Sequence, residues 1–565
     1  MRRKSTLFAT FAVLGASALL LSACSPGNTA STATSSAAAA LPATAWDRAA
    51  AADVQDGGTL NLAINALPVN WNVLQADGAE VDTTNTVAPT AGGPFSTKED
   101  GTTVLDPDYA TSVELVSKDP QVVEVKLNPK AVWEDGSPIT YQDYVGTWKA
   151  LNGSDEAYQV ASSSVFSDIS SIESAGSDYD FRITFGTVNA DWASILSGDK
   201  GGTVLPSSVT STPEAFNAAF TTTAVPSSGP FVISKIDTTG QVVTLTRNPK
   251  WWGATPKLDT VIVKVVSGAS QATAFGNSES DVLSISSNAD AYQTAKKRSD
   301  AEIQASNGVT WTHVTINGSK GPLADVAVRQ AIGHALNRQL VSESANTPVG
   351  VPSETQGSYI FMPGQKGYED NVGAAIGYDV DAAKKLLDKA GYPVGSDGLR
   401  AKDGVALKLS ITVPAETPTN KQRAVQVQAD LKEVGVTVEL AEVPAAKYFS
   451  DYILKGDYEL TSFSWQGTPF PISSSESIFY PVDSGQNFTG ITDESLGDLY
   501  KSANSELDPD ARIVIANKID KVLAAYVPII PIAPLPNVYA VKSGLVNYGA
   551  TQFETPDWTI IGWKK

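Results

Sequence analysis

Apolar and polar residues alternate early in the chain. In "GGTLNLAI" Leu60, Leu62 and Ile64 take every second position, the period of a half-buried strand. The segments "TSVELVSKDPQVVEVKL" and "SDYDFRITFG" repeat that period with turn residues between them, and "SPITYQDYVGTWKAL" has helical spacing after a Ser-Pro start. "GPFVISKIDTTGQVVTLTRN" predicts a hairpin over Thr238-Thr239-Gly240, and the unbroken apolar run in "KLDTVIVKVV" a buried strand. From about residue 309 helices and strands alternate. The spacing predicts a helix over 324–343, another in "DVDAAKKLLDKAG" with Gly391 as its C-terminal cap, and a strand in "LKLSITVP". A third helix, "NKQRAVQVQADLKEVG", has Val425, Val427, Leu431 and Val434 as apolar positions; the strand "VTVELAEVP" and the helix "ARIVIANKIDKVLAAYVP" follow. Such alternation predicts an α/β lobe, and no internal repeat is visible.

The first residues follow another pattern. Arg2, Arg3 and Lys4 precede an apolar run from Leu7 to Leu21, which has the layout of an export signal and is short for a membrane span. Residues 25–52 are mostly Ala, Ser and Thr, with little to bury, and read as a disordered tether reaching about 30 Å. Between signal and tether stands the sole cysteine: Leu21-Ser22-Ala23-Cys24 resembles the lipobox of bacterial lipoproteins, in which the thiol is acylated and the signal is cut before it. The other reading is a cysteine beside an ordinary A-x-A type cleavage site. Two or more acyl chains would anchor the protein stably to the extracytoplasmic face of the cell membrane without crossing it.

Charge narrows the partners. The formal net charge is -20, and about -23 once the three positive residues of the signal are removed, which argues against nucleic acid and gives no polybasic membrane patch. A length of 565 residues suggests two or three domains, and 11 Trp, 18 Tyr and 17 Phe supply a large core without any disulfide. Catalytic material is scarce. With Cys24 assigned, only His313 and His334 remain; the first lies in a strand pattern and the second in a helical one, and both read as structural. Acid pairs such as Glu134-Asp135 arise by chance among 61 acids, and the calcium-like runs "DPDY" and "YDVDAA" lack the glycine and distal glutamate of an EF-hand loop. The expectation is a protein that is not an enzyme and holds neither metal nor cofactor.

Four segments carry a resemblance. "VKLNPKAVWEDGSPITYQDYVGTWKAL" (125–151), "SSGPFVISKIDTTGQVVTLTRNPKWWGATPKLDTVIVKVV" (227–266), "PLADVAVRQAIGHALNRQLV" and "YDVDAAKKLLDKAGY" resemble, in order and spacing, the family 5 extracellular solute-binding proteins, the peptide and nickel receptors of ABC importers. In the first, Asp135-Gly136 makes a tight turn, Pro138 stiffens the entry to a helix capped by Thr140, and Trp133 reads as core. The resemblance implies an α/β, two-lobe periplasmic-binding-protein-like fold of type II with an additional small inserted domain and a ligand enclosed by hinge closure. Its boundaries are a signal over 1–23, a tether over 24–55, lobe I in 56–74, 206–308 and 535–565, the inserted domain in 75–205, and lobe II in 309–534.

The same resemblance implies a ligand site. Strand addition to a bound peptide maps to Asn65, Ala66, Leu67 and Trp71 on one side and to Ser464, Trp465, Gln466, Gly467 and Thr468 on the other, with Asn487 as a further cleft residue. Trp465 reads equally as a core tryptophan. Thr468 stands where the family often has an aspartate for the peptide's ammonium, and a hydroxyl cannot replace that charge-assisted bond. Asn337-Arg338 replaces the family's common Asp-Arg. The expected function is that of a lipid-anchored, monomeric receptor that binds oligopeptides and delivers them to a permease and ATPase complex. A glycolipid-binding or regulatory lipoprotein on the same fold is the first alternative, and an extracytoplasmic hydrolase the second.

Overall fold

The computed structural model describes residues 40–198, 204–415 and 417–565; the export signal, Cys24 and the tether up to residue 39 lie outside the described residues. The strand Thr59–Ile64 buries Leu60, Leu62 and Ile64, as its alternation demands. It pairs in parallel with Thr260–Val265, and Val242–Arg247 and Phe231–Asp237 continue the sheet antiparallel. A parallel neighbour requires a crossover connection. Here the intervening chain carries a second, four-stranded sheet in the order Ala110–Lys118, Gln121–Leu127, Asp180–Phe185, Ile169–Ser174. The helix Tyr141–Leu151 packs beside this sheet and starts at a capping box of Thr140 and Asp143. Trp133, Tyr144, Phe181 and Phe185 form a core of its own, while Ala150 and Leu151 at the helix end enter the core of the first lobe. The inserted part is therefore fastened to lobe I through packed side chains.

A six-stranded sheet joins the lobes, in the order Val282–Ser284, Ile529–Lys542, Ala301–Ile316, Leu460–Gln466, Lys408–Pro414, Thr437–Val443. Two of its strands run to 16 and 14 residues, far longer than one lobe needs. Their antiparallel register shifts between Ser306 and Thr310, where a Cβ on Gly308 would stand 1.9 Å from the carbonyl oxygen of Leu535. On the lobe II side, Lys408–Pro414 and Thr437–Val443 pair in parallel through the helix Pro418–Glu433, over a core that includes Val314, Leu409, Val427, Leu431 and Tyr500.

Three details differ from the sequence pattern. The helix expected over 324–343 is two, Val326–Ala335 and Arg338–Asn346, because the Asn337 side chain turns back to accept from the Leu340 amide at 3.1 Å and caps a fresh start. Val425 is 47% exposed, so the buried face of its helix is Ala424, Val427 and Leu431. Residues 42–49, expected within the tether, lie along residues 547–554 through Ala45 N–H to the Ala550 carbonyl, Gln552 N–H to Ala43 and Asn547 N–H to Asp47. Trp46, 7% exposed, is the apolar anchor that the Ala/Ser/Thr composition hid.

Both histidines sit in structural settings. His313 is fully buried beside Thr315, and burial pushes its pKa well below the usual range, so it is neutral. His334 donates from Nδ1 to the Gly377 carbonyl at 2.7 Å.

Candidate functional site

On the strand Leu460–Gln466, Ser464 and Gln466 point to the same side, two residues apart, and each faces a chamber. Their partners across the ladder, Thr312 and Thr310, share that side. Both chambers therefore reach one face of the crossing strands, through residues about 7 Å apart along the strand.

The larger chamber, about 600 Å³, has walls from every part of the fold. Leu105 to Tyr109 come from the inserted part, Trp251 from lobe I, Thr551 to Thr559 from the C-terminal segment, and Gln466 and Gly467 from lobe II. Its volume suits a small ligand. Asp106, Asp108, Glu554 and Asp557 line it, and no lysine, arginine or histidine does. Glu554 is neutralised from outside by Arg48, whose two terminal nitrogens reach its carboxylate at 2.7 and 2.6 Å. The other three carboxylates have no cation partner among the described residues. Burial, reinforced by the charges of Asp108 and Asp557, pushes Asp106 up to about 6; burial and then Asp557 also raise Asp108. Among the described residues no three His, Cys, Asp or Glu side chains converge closely enough to hold a metal ion.

Aromatic groups complete this wall. The Tyr109 hydroxyl donates to the Ser228 carbonyl at 2.9 Å, its ring packs edge-on to Trp252 at 5.4 Å, and Trp251 lies 4.4 Å from Trp252. The Trp252 indole donates to the Asp108 carbonyl at 2.6 Å, so the stack fixes the loop that carries the acids. Trp251 and Trp558 face the chamber, where a ring face adds to the attraction for a cation.

The second chamber, about 270 Å³, has the opposite character. Thr312, Ser342, Ser344, Asn346, Asn420 and Ser464 line it around Arg423, and it has no carboxylate in its lining. The Arg423 guanidinium donates to Ser462 Oγ at 3.1 Å and to Asn420 Oδ1, and no acid pairs with it among the described residues. Burial pulls its pKa down, to about 10, which leaves it charged at neutral pH. Asn346 Oδ1 is buried there without a partner.

The residues expected to form the site divide among several roles. Gln466 and Gly467 line the larger chamber and Ser464 the smaller. Thr468 lies at the rim, where its hydroxyl accepts from the Phe470 amide at 3.1 Å and bonds Ser474 at 3.1 Å just before the helix Pro471–Phe479. Trp465 is stacked between His313 and Phe488, at 6.1 and 5.8 Å with nearly parallel rings, and its indole nitrogen is buried without a partner. The amides of Asn65 and Ala66 both donate to Asp82 Oδ2, at 2.9 and 3.1 Å, so neither is offered to a ligand strand. Leu67 and Trp71 pack in the lobe I core. The Asn487 amide nitrogen is taken up by the Phe479, Pro481 and Ile491 carbonyls. Neither chamber is lined by any of these five. Asp557 and Arg423 carry no signal in the sequence, and Asp106 and Asp108 stand out only as the calcium-like "DPDY" run.

Two α/β lobes sharing long crossing strands, with charged chambers between them, are the architecture of a bilobal ligand receptor. The model of the bacterial extracellular solute-binding proteins, family 5 Middle, matches residues 104–487, and the chain belongs to this family. It is 35% identical over 515 residues, 91% of its length and 86% of the relative's, to the oligopeptide-binding protein OppA of Mycobacterium tuberculosis (strain ATCC 25618 / H37Rv). Among solved structures, the periplasmic EDTA-binding protein EppA aligns with a TM-score of 0.82 at 24% identity, covering 93% of this chain and 99% of that one. The oligopeptide-binding protein AppA from Bacillus subtilis, in complex with a nonapeptide, aligns with a TM-score of 0.70 at 20% identity over 91% of this chain and 100% of that one. The fold is thus the two-lobe type II fold of these binding proteins.

Proposed function

We propose that this extracellular solute-binding protein binds oligopeptides between its lobes and hands them to an ABC importer. The observation that carries the reading is the polarity of the cleft. Three unpaired carboxylates, Asp106, Asp108 and Asp557, line one chamber, and an arginine without an acid, Arg423, lines the next. A free peptide carries one ammonium and one carboxylate on a single backbone, and the ladder edge at Ser464 to Gly467 lies beside both chambers. The ammonium meets the acids and aromatic rings, and a carboxylate, from the C-terminus or an acidic side chain, meets Arg423. The acid missing at Thr468 is replaced from the opposite wall. The 35% identical relative named as an oligopeptide-binding protein supports the same ligand class.

Hinge closure at Ser306–Thr310 would enclose the ligand, and the closed form would dock on the permease and its ATPase, with Cys24 acylated to hold the receptor at the outer face of the cell membrane as a monomer. The test is mass spectrometry of the ligand retained after purification from the native host, followed by calorimetry with tetra-alanine and its N-acetylated and C-amidated forms. The reading expects peptides and at least about tenfold weaker binding for either blocked form. A single glycolipid, with no peptide bound, would overturn it.

A further inference from the structure

We propose that residues 42–48 form a strap that holds the hinge and one wall of the cleft, making this short N-terminal segment part of the binding machinery. The strap pairs with the C-terminal segment through Ala45 N–H to the Ala550 carbonyl at 2.9 Å and Gln552 N–H to the Ala43 carbonyl at 2.7 Å. Thr44 bonds Thr551 Oγ1 at 2.8 Å and Glu554 Oε2 at 2.7 Å. Arg48 closes the strap with its two-pronged contact to Glu554 and a third bond, 3.0 Å, to Glu99 of the inserted part. Thr551, Gln552 and Glu554 are cleft-lining residues, so each of these bonds positions the wall from behind.

The strap also reaches the hinge. The Asn307 amide, inside the register shift, donates to the Pro42 carbonyl at 2.8 Å. The next residue, Gly308, has its carbonyl bonded by Gln552 Nε2 at 3.2 Å, and the same nitrogen donates to the Pro363 carbonyl of lobe II at 2.9 Å. Two consecutive hinge residues are therefore tied to the strap, one directly and one through Gln552, whose backbone the strap holds. A bend at 306–310 has to move these bonds, so strap docking and lobe closure share free energy, and each influences the other. Arg48 has a second role: by pairing with Glu554 it keeps the unpaired acids of the chamber at three.

The experiment uses the full chain with Ala45→Pro, which removes the donor to Ala550, and Ala45→Ser, which keeps it. Hydrogen exchange is followed without ligand at Asn307, and at Thr310 and Leu535, which pair across the hinge and do not bond to the strap. Ala45→Pro should speed exchange at all three by about tenfold or more while amides of the Gln121–Leu127 strand stay unchanged, and Ala45→Ser should restore the wild-type rates. Tetra-alanine affinity should fall by about tenfold in Ala45→Pro, with little change in melting temperature. Unchanged exchange at Thr310 and Leu535 overturns the proposal, as does unchanged exchange at Asn307. So does unaltered affinity in a variant whose hinge exchange has risen. The exchange measurement needs no ligand, so wild-type protein that ignores tetra-alanine would count against the peptide reading alone.

Discussion

Replacing Asp191 with asparagine should weaken ligand binding far more than a surface change of one charge would. Asp191, in the inserted part, receives both terminal nitrogens of Arg512 from the helix Pro509–Tyr526 of lobe II, Nη1 on Oδ1 and Nη2 on Oδ2, the latter at 2.7 Å. The side chains are only 4% and 13% exposed. The Ala503 carbonyl takes the Arg512 Nε–H at 2.9 Å, and beside the pair the Ala190 amide donates to the Asn504 carbonyl at 2.8 Å. This is a clasp between the part fastened to lobe I and lobe II. Opening of the lobes would return both ions to water, so the clasp favours the closed form only by what it gains over hydration. A hydrogen bond to a charged group contributes about 1.5–3 kcal/mol, and Asp191→Asn forfeits most of that in the closed state alone. At about 1.4 kcal/mol per tenfold, tetra-alanine affinity should drop by roughly 10- to 100-fold. Calorimetry gives the affinity, and small-angle scattering gives the radius of gyration with and without ligand. The Asp191→Asn variant should remain more extended at ligand concentrations that compact the wild type. An affinity within twofold of wild type, together with a lower melting temperature, would refute the clasp and leave a static packing contact.

Asp106 provides a pH test with a definite sign. Its folded pKa of about 6 lies above the ordinary 3.8, so the native state keeps the proton longer than the unfolded chain, and stability falls as pH rises from about 4 to 6 and is flat above. Asp106→Asn should remove that step and, after allowance for solvent screening, stabilise the protein by about 1–2 kcal/mol at pH 7.5 in a denaturant titration, while flattening the rise in peptide affinity between pH 5 and 7. Arg423→Gln should reduce affinity for tetra-alanine at least about tenfold and leave its C-amidated form nearly unaffected, as calorimetry of the two ligands would show. Gly308→Ala would drive a methyl group into the Leu535 carbonyl, and scattering should detect a changed lobe angle with loss of binding even where circular dichroism is unaltered. Asn337→Ala should lower stability by about 1 kcal/mol through loss of the cap, with binding unchanged.

The sequence disclosed most of the framework because local periodicity and turn chemistry agreed with the tertiary outcome. The hairpin over Thr238-Thr239-Gly240, the Thr140 cap and the Gly391 helix end were all legible from residues within one turn of each other. Where the outcome depended on a distant partner, the pattern misled. Asn337 splits a helix that the apolar spacing alone would continue, and residues 42–49 have tether composition yet find acceptors and donors some 500 positions away. The candidate site was the least legible part. Asn65 and Ala66 directly follow the strand Thr59–Ile64, but an aspartate 16 or 17 residues on takes their amides, and the acids of the larger chamber come from segments separated by about 450 residues. Nothing in a one-dimensional pattern brings Asp557 to Asp106.

If the cleft takes oligopeptides as proposed, the placing of its acids decides how closure is driven. A carboxylate at position 468 would belong to the lobe II side, the same side as Arg423, and a zwitterionic ligand could satisfy both without touching the other lobe. Here the acids belong to the inserted part and the C-terminal segment, and the arginine to the helix Pro418–Glu433 of lobe II. A ligand bound to one wall alone obtains one of its two charge-assisted contacts. Both are made only when the walls approach, so the second contact is an interaction of the closed form and biases the equilibrium by its full differential value. The same logic makes a singly charged ligand a poor trigger even where it binds. An N-acetylated peptide held by Arg423 should occupy the cleft and leave the radius of gyration at its ligand-free value, whereas the unblocked peptide at equal occupancy should compact the protein.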